Sequence, residues 1–154
     1  MERMDRRTFF LITSVSIALP RLAQSTARDI WSASEAASAL YGNRIFLIDV
    51  RSREEWSETG LAKGAWPISM HEPRLEQRLI AARALAGRKP IALICATGGR
   101  SAQLLRALKR AGYTGYIDVS EGMLGSSQGR GWIARGLPVV DMKTALAALP
   151  RELR

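Results

Sequence analysis

The sequence has only one cysteine, Cys95, only one histidine, His71, and no apolar run long enough to cross a membrane. A lone cysteine has no partner within the chain, which excludes a disulfide scaffold. The apolar stretch at residues 9–19 has about eleven residues, whereas a hydrocarbon core needs roughly 20. The remaining composition, 47% hydrophobic and 24% charged residues, is typical of one soluble globular domain.

Acidic residues are also scarce, since 14 Asp and Glu face 23 Lys and Arg and leave a net charge of +9. We interpret this excess as a solvated basic surface, with attraction of small anions as the alternative. The basic residues are scattered and lack the aromatic interleaving that is typical of nucleic-acid binding. No nucleic-acid partner is therefore expected.

The N-terminus has the pattern of an export signal. Arg6 and Arg7 precede Thr8-Phe9-Phe10-Leu11, which resembles a twin-arginine signal with its charged region and short apolar region. We predict a cleaved signal peptide at residues 1–27, a periplasmic location and no stable membrane span after cleavage. The alternative is an amphipathic or disordered cytosolic N-terminus. Candidate cleavage positions are the small residues Ala23, Ser25 and Ala27.

Apolar strand-like runs alternate with amphipathic helix-like segments along the rest of the chain. This alternation predicts an α/β domain with a mainly parallel central sheet flanked by helices. Asp49 and Cys95 each end a predicted strand, so both belong to the carboxyl edge, where sites of such domains lie. The predicted strands are 29–31, 45–50, 65–69, 91–94 and 116–119, and the predicted helices are 32–41, 74–86, 101–111 and a tail helix within 141–154. Residues 52–64 are predicted to be a polar loop that includes a helical turn at 54–57.

Cys95 directly precedes a glycine-rich turn and a predicted helix that begins at Ser101. Gly98 and Gly99 permit backbone angles closed to other residues, so the turn can point successive N–H groups at an anion. These groups and the field of the helix N-terminus favour the thiolate form of the cysteine, which is the nucleophile. Arg100 adds a permanent positive charge and a fork of donors.

The rhodanese sulfurtransferases have a C-x-x-G-x-R-S active-site loop that resembles Cys95-Ala96-Thr97-Gly98-Gly99-Arg100-Ser101. Three further segments resemble the family pattern in the same order, namely Ile48–Arg51 with Glu55-Trp56, Ser120–Met123, and Trp132 with Gly136–Val139. The resemblance covers about residues 29–140. It implies a rhodanese-like three-layer domain at 28–140, with a tail at 141–154. One departure is Gly60-Leu61-Ala62 in place of the family's G-H-I, which is expected to alter the rim of the site.

The resemblance also implies a chemistry in which Cys95 takes the outer sulfur of a small anionic donor such as thiosulfate and becomes a persulfide. A thiol or a cyanide-like acceptor then removes that sulfur, and no metal or organic cofactor is needed. Arg100 would favour anionic donors, and Asp49, Arg51 and Ser101 would have supporting roles. The residues implied to hold the persulfide through their N–H groups are Ala96, Thr97, Gly98, Gly99 and Arg100.

Other functions fit the motif less well. Phosphatases of this fold use C-x5-R, one residue longer than the C-x4-R of this chain, and arsenate reduction usually needs a second cysteine. A Cys–His hydrolase would need His71, which is predicted to be an exposed loop residue. The remaining alternative is a non-catalytic rhodanese-like binding or regulatory module in the periplasm, although such modules commonly lack the cysteine.

Several residues near the motif are predicted to have structural roles. Asp49 and Arg51 are interpreted mainly as a strand-end carboxylate and an arginine that ties loops together. Glu121 is predicted to lie at the surface, with the rim of the site as the alternative. The glycine-rich residues 125–131 are predicted to form a flexible insertion that borders the site.

Overall fold

The computed structural model describes residues 28–154, so the predicted signal peptide lies outside the described residues. None of the helices among residues 28–154 is long and apolar enough to cross a membrane. The elements in chain order are β1 (Ile30–Trp31), α1 (Ala33–Tyr41), β2 (Phe46–Asp49), α2 (Arg53–Thr59), β3 (Leu61–Ala62), β4 (Trp66–Pro67), α3 (Leu75–Ala86), β5 (Ile91–Ile94), α4 (Gly99–Arg110), β6 (Tyr116–Val119), β7 (Val139–Val140), α5 (Met142–Ala148) and a 3-10 helix (Arg151–Leu153).

Five strands form one parallel sheet in the order β1-β6-β5-β2-β4. Strands β3 and β7 form a separate antiparallel pair. The mainly parallel α/β sheet predicted from the sequence is confirmed. Because β2 and β5 are neighbours in the sheet, the chain segments that follow Asp49 and Ile94 leave the same edge side by side.

Both faces of the sheet are covered by helices, which explains why its central strands are continuous apolar runs. Ile48 and Leu93 belong to a core cluster formed with α3 and α4. Leu47 and Ala92, one residue earlier on each strand, belong to a second cluster formed with α1 on the other face. Cys95 continues the alternation and faces the α3–α4 layer, so its side chain starts from a rigid, fully packed strand.

The polar segment predicted as a loop contains a full helix, α2. Its N-terminus is a capping box in which the Ser52 side chain accepts from the Glu55 N–H and the Glu55 carboxylate accepts from the Ser52 N–H. Trp56 in the same helix is fully buried beside Leu61 and Ala145. Tertiary packing of this one large side chain adds to the cap and stabilises a helix too short and too polar to show a helical period.

The C-terminal tail packs onto the domain. Helix α5 lies within the predicted tail, and Leu149 and Leu153 are buried in the same cluster as α3 and α4. Arg78 of α3 is nearly buried, and its Nε donates to the Leu153 carbonyl at 2.8 Å. The tail therefore closes the open side of the α3 layer.

Candidate active site

The predicted site residues come together at the carboxyl edge of the sheet. Cys95 follows β5, Asp49 ends β2, and the chain turns from Cys95 into α4 within four residues. Helix α4 begins at Gly99, two residues before the predicted start, so Gly99 and Arg100 lie in its first turn. The N–H groups of a first turn have no intrahelical acceptor and remain available to an anion.

The Cys95 sulfur receives two hydrogen-bond donors from its own loop. The Gly98 N–H lies 3.1 Å from Sγ, and the Ser101 hydroxyl lies 3.4 Å from it. Ser101 Oγ is also 3.1 Å from the Gly98 carbonyl, and its single proton serves only one of these acceptors at a time. A negative sulfur is the stronger acceptor, so the hydroxyl turns toward Cys95 when the sulfur carries charge.

Gly98 alone supplies the special backbone angle of the loop. Its φ of 85° is left-handed, and a Cβ there would lie 2.1 Å from the Ser120 carbonyl oxygen. Gly99 has no positive φ, and a Cβ there would meet nothing within 4 Å. The glycine pair predicted to shape the turn therefore reduces to one required glycine, followed by a residue that merely starts the helix.

The strand-to-helix loop is held from behind by the segment after β6. The N–H of Met123 donates to the Cys95 carbonyl at 2.8 Å, and the N–H of Leu124 donates to the Ala96 carbonyl at 2.8 Å. Gly122 has a φ of 64°, and a Cβ on it would lie 2.4 Å from the Ala96 oxygen. Two segments distant in sequence thus fit against each other without room for a side chain, which fixes the position of the sulfur.

Arg100 forms an ion pair with Glu55, which the sequence marks only through its place in the family pattern. Its Nη2 lies 2.5 Å from Glu55 Oε1, and its Nη1 lies 2.8 Å from Glu55 Oε2. The hydrogen bond from Arg100 lowers the pKa of Glu55 to about 2. In turn, the hydrogen bond to Glu55 raises the pKa of Arg100, and the charges of Cys95 and Asp49 raise it further. The guanidinium therefore interacts electrostatically with Cys95, but two of its hydrogen-bond donors are already engaged by Glu55.

His71 also lies at this pair. Its Nε2 is 3.3 Å from Arg100 Nη1, and its side chain is exposed, as predicted. Within residues 28–154, the hydrogen-bond partners of the Cys95 sulfur are Gly98 and Ser101, so no Cys–His couple is formed. The Cys–His hydrolase alternative has no support in this geometry.

Asp49 and Arg51 form a sealed ion pair below the site. Arg51 Nη2 lies 2.8 Å from Asp49 Oδ2, and the two side chains are 1% and 0% exposed. The same guanidinium donates to Thr59 Oγ1 and to the Gly60 carbonyl, both at 2.7 Å. The pair thus joins the end of β2 to the end of α2, which is the structural role that the sequence suggested.

Glu121 is neither at the surface nor at the rim. It is 4% exposed, accepts from the Ala33 N–H at 2.8 Å and pairs with Arg135 at 2.6 Å. A carboxylate at the first helical residue of α1 is favoured by the helix dipole. The prediction was wrong because the partners of Glu121 come from both ends of the domain, and no local pattern indicates them.

Residues 125–131 form a tight turn and not the loose insertion predicted from their glycines. Ser126 and Gly129 exchange two backbone hydrogen bonds of 3.0 and 3.2 Å, and Ser126 Oγ donates to the Ser120 carbonyl at 2.9 Å. A Cβ on Gly131 would lie 2.2 Å from the Gly125 nitrogen. The glycines here serve close backbone approach, and the turn buttresses the same Ser120 that contacts the cysteine loop.

The strand beside β5 carries a buried carboxyl that no local sequence pattern singles out. Asp118 on β6 is 3% exposed, and its Oδ1 has no hydrogen-bond partner among the described residues. Burial raises the pKa of Asp118 above its usual range. In the register of the sheet, Asp118 is paired with Leu93 of β5, two residues before Cys95.

Comparison with known proteins agrees with the fold and the motif. The rhodanese-like domain family matches residues 32–127. An uncharacterised protein of Rickettsia prowazekii, RP600, is 26% identical over 105 residues, which cover 64% of this chain and 85% of that protein. The 30 kDa polysulfide-sulfur transferase homodimer of Wolinella succinogenes is 28% identical, with a TM-score of 0.52, and the match covers 74% of this chain and 79% of that one. The rhodanese-like domain of the Anabaena Alr3790 protein is 20% identical, with a TM-score of 0.57, over 80% of this chain and 85% of that one, and shows the fold alone.

Proposed function

This chain belongs to the rhodanese-like domain family, and from that premise we propose that it is a sulfurtransferase whose Cys95 carries a sulfane sulfur. The observation that carries the proposal is the environment of the Cys95 sulfur. It accepts hydrogen bonds from the Gly98 N–H and the Ser101 hydroxyl at the N-terminus of α4. The polysulfide-sulfur transferase among its structural relatives supports the same class of chemistry.

The first half-reaction forms the persulfide. The Cys95 thiolate attacks the outer sulfur of a donor such as thiosulfate, a new S–S bond forms, and the donor's S–S bond breaks. Sulfite leaves with the electron pair of that bond, and the transferred sulfur remains on Cys95 as a persulfide anion. The Gly98 N–H already contacts the Cys95 sulfur, and the N–H groups of the first turn of α4 have no intrahelical acceptor, so both are available to stabilise this anion.

The second half-reaction returns the enzyme to its starting state. A thiolate or cyanide acceptor attacks the terminal sulfur, the S–S bond to Cys95 breaks, and the cysteine leaves as a thiolate. Ser101 supports this departure, since its hydroxyl proton can turn from the Gly98 carbonyl to the sulfur as charge returns there. The products are a persulfide of the acceptor thiol or, with cyanide, thiocyanate.

Intact mass spectrometry tests the proposal. The protein is incubated with thiosulfate, or with polysulfide, and freed of small molecules. We expect a gain of one sulfur atom on the wild type, loss of that gain after addition of cyanide, and no gain on Cys95→Ser. Cys95 is only 1% exposed, so the mass gain also establishes that the sulfur can be reached. Wild-type protein that acquires no sulfur from either donor would contradict the proposal and favour a binding or regulatory module.

We further propose that the chain acts in the periplasm after export by the twin-arginine route, on the basis of Arg6, Arg7 and the apolar residues that follow. The test is fractionation of cells that produce the full chain. The double variant Arg6→Lys, Arg7→Lys is expected to leave the protein in the cytoplasm at its uncleaved mass, while Arg3→Lys, a matched control, is exported. Equal export of the double variant would contradict the route.

A further inference from the structure

We propose that Glu55 is a specificity-determining residue that acts through Arg100. It cancels the positive charge beside Cys95 and so makes the site discriminate against doubly charged sulfur donors in favour of donors with less negative charge. This inference rests on the proposed sulfur transfer and deepens it, since it concerns the class of donor that the same site accepts.

The geometry places this pair at the open part of the site. Glu55 and Arg100 side chains are 28% and 30% exposed, in contrast with the sealed Asp49–Arg51 pair. Two parallel contacts of 2.5 and 2.8 Å join the carboxylate to the guanidinium. A bidentate pair of this kind fixes the plane of the guanidinium and occupies the two donors that an incoming oxyanion would use.

The charge balance around the sulfur follows from these contacts. Asp49 neutralises Arg51, and Glu55 neutralises Arg100, so neither arginine offers a net charge to a donor. What remains for an anion is the set of backbone N–H groups at the start of α4, which carry only partial charges. Such a set can hold one negative sulfur, but it compensates a dianion poorly as that dianion approaches a thiolate.

The identity of residue 55 is not required by its helix. Glu55 is the third residue of helix α2 and closes its capping box, in which Glu55 Oε2 accepts from the Ser52 N–H at 3.0 Å. A glutamine can make the same reciprocal contact, so Glu55→Gln keeps the cap and removes only the charge. Helix α1 offers a matched control, because Glu35 completes its capping box with Ser32 and also pairs with an arginine, Arg28, at an exposed position.

The first experiment compares steady-state kinetics of the wild type, Glu55→Gln and Glu35→Gln with cyanide as the acceptor. The donors are thiosulfate, a dianion, and benzenethiosulfonate, a monoanion. We expect Glu55→Gln to lower KM for thiosulfate by about 5- to 10-fold, and KM for benzenethiosulfonate by a smaller factor of about 2 to 3, because the gained attraction scales with donor charge. Glu35→Gln is expected to match the wild type. Equal KM changes for the two donors, or none, would overturn the inference.

A second readout does not depend on sulfur transfer. The rates of Cys95 alkylation by iodoacetate, an anion, and by iodoacetamide, a neutral reagent, are measured for the same three proteins. We expect the iodoacetate rate divided by the iodoacetamide rate to rise about 3-fold or more in Glu55→Gln. The same ratio is expected to stay at the wild-type value in Glu35→Gln. An unchanged ratio would refute the role of Glu55, whereas a raised ratio in a protein that never acquires sulfur would refute the proposed function alone.

The double variant Glu55→Gln, Arg100→Gln distinguishes a role through Arg100 from a direct effect of the carboxylate. If Glu55 acts by cancelling the charge of Arg100, the Glu55→Gln change loses most of its effect on the alkylation ratio once Arg100 is neutral. The same increase in both backgrounds would show that Glu55 repels anions by itself and would overturn the proposed route. Thermal unfolding of each variant confirms that the comparison is made on folded protein.

Discussion

Two arginines at the carboxyl edge of the sheet each hold a carboxylate, but one pair is sealed and the other is open. Arg51 and Asp49 are 1% and 0% exposed, and Arg51 also donates to Thr59 and to the backbone of Gly60. Arg100 and Glu55 form an equally close bidentate pair, yet both remain about 30% exposed at the site. The same chemical contact therefore braces the scaffold in one place and, in the other, neutralises the guanidinium that follows the cysteine loop.

The largest expected effect comes from breaking the sealed pair. Asp49→Ala leaves the Arg51 charge buried without its partner, which is expected to lower the free energy of unfolding by about 3–5 kcal/mol. The measurement is urea unfolding followed by tryptophan fluorescence. Asp29→Ala is the matched control, because the Asp29–Lys109 pair is exposed and its loss is expected to cost about 1 kcal/mol or less. Similar midpoints for the two variants would remove the distinction between the pairs.

The next effect comes from breaking the open pair. Arg100→Gln removes the positive group beside Cys95 and leaves Glu55 facing the donor unpaired, so persulfide formation from thiosulfate is expected to slow by about 10-fold or more. Its unfolding free energy is expected to change by only about 1 kcal/mol. Arg110→Gln, an exposed charge in the last turn of the same helix, controls for the change in net charge. A rate equal to that of this control would show that Arg100 has no part in donor capture.

Acid titration separates the open pair from the rest of the molecule. The hydrogen bond from Arg100 lowers the pKa of Glu55 from 4.5 to about 2, so its contribution to stability is complete above the unfolded pKa and is lost as the pH falls toward 2. We expect the wild type to exceed Glu55→Gln by about 1 kcal/mol between pH 5 and 7, and that difference to shrink between about pH 4.5 and 2. A difference that persists unchanged at pH 2 would contradict the ion pair.

The smallest effect concerns Asp118, a buried carboxyl that forms no salt bridge among the residues that the structure describes. Burial raises the pKa of Asp118, so this carboxylate destabilises the fold at every pH above its unfolded pKa. Asp118→Asn is therefore expected to stabilise the protein by about 0.5–1 kcal/mol at pH 7, with the gain disappearing as the pH falls below about 4. Thermal melting at pH 7 and pH 4 measures this, and a loss of stability at pH 7 would show that the charge of Asp118 is needed.

Local patterns were sufficient to predict the five strands of the parallel sheet and the position of Cys95 at its carboxyl edge, but not the short β3–β7 pair. The runs at 45–50 and 91–94 are buried on both faces, and Asp49 ends β2 while Cys95 directly follows the adjacent β5. Helix α2 was missed although Ser52 and Glu55 have the same Ser-x-x-Glu spacing that predicted α1. Its polar sequence has no apolar period, and the burial of Trp56 depends on packing against a tail more than 80 residues away.

The contacts that decide the chemistry of the site could not be predicted in this way. Glu55 and Arg100 are separated by 45 positions, and nothing local in either segment marks them as partners. Glu121 likewise pairs with Ala33 at a separation of 88. Glycine spacing was equally ambiguous, since Gly98 is required by a close carbonyl and Gly99 is not. Side-chain partners of this kind are set by the tertiary fold, which a single sequence does not display.

The fit between the cysteine loop and the segment after β6 has a consequence for the newly made chain. Cys95 is synthesised before Ser120, Gly122 and Met123, whose backbone shapes and supports its loop. A nascent chain that ends between these two segments contains the complete Cys95–Ser101 motif but lacks the backbone that supports the cysteine loop. The motif is therefore not a portable peptide, and its reactivity belongs to the finished domain.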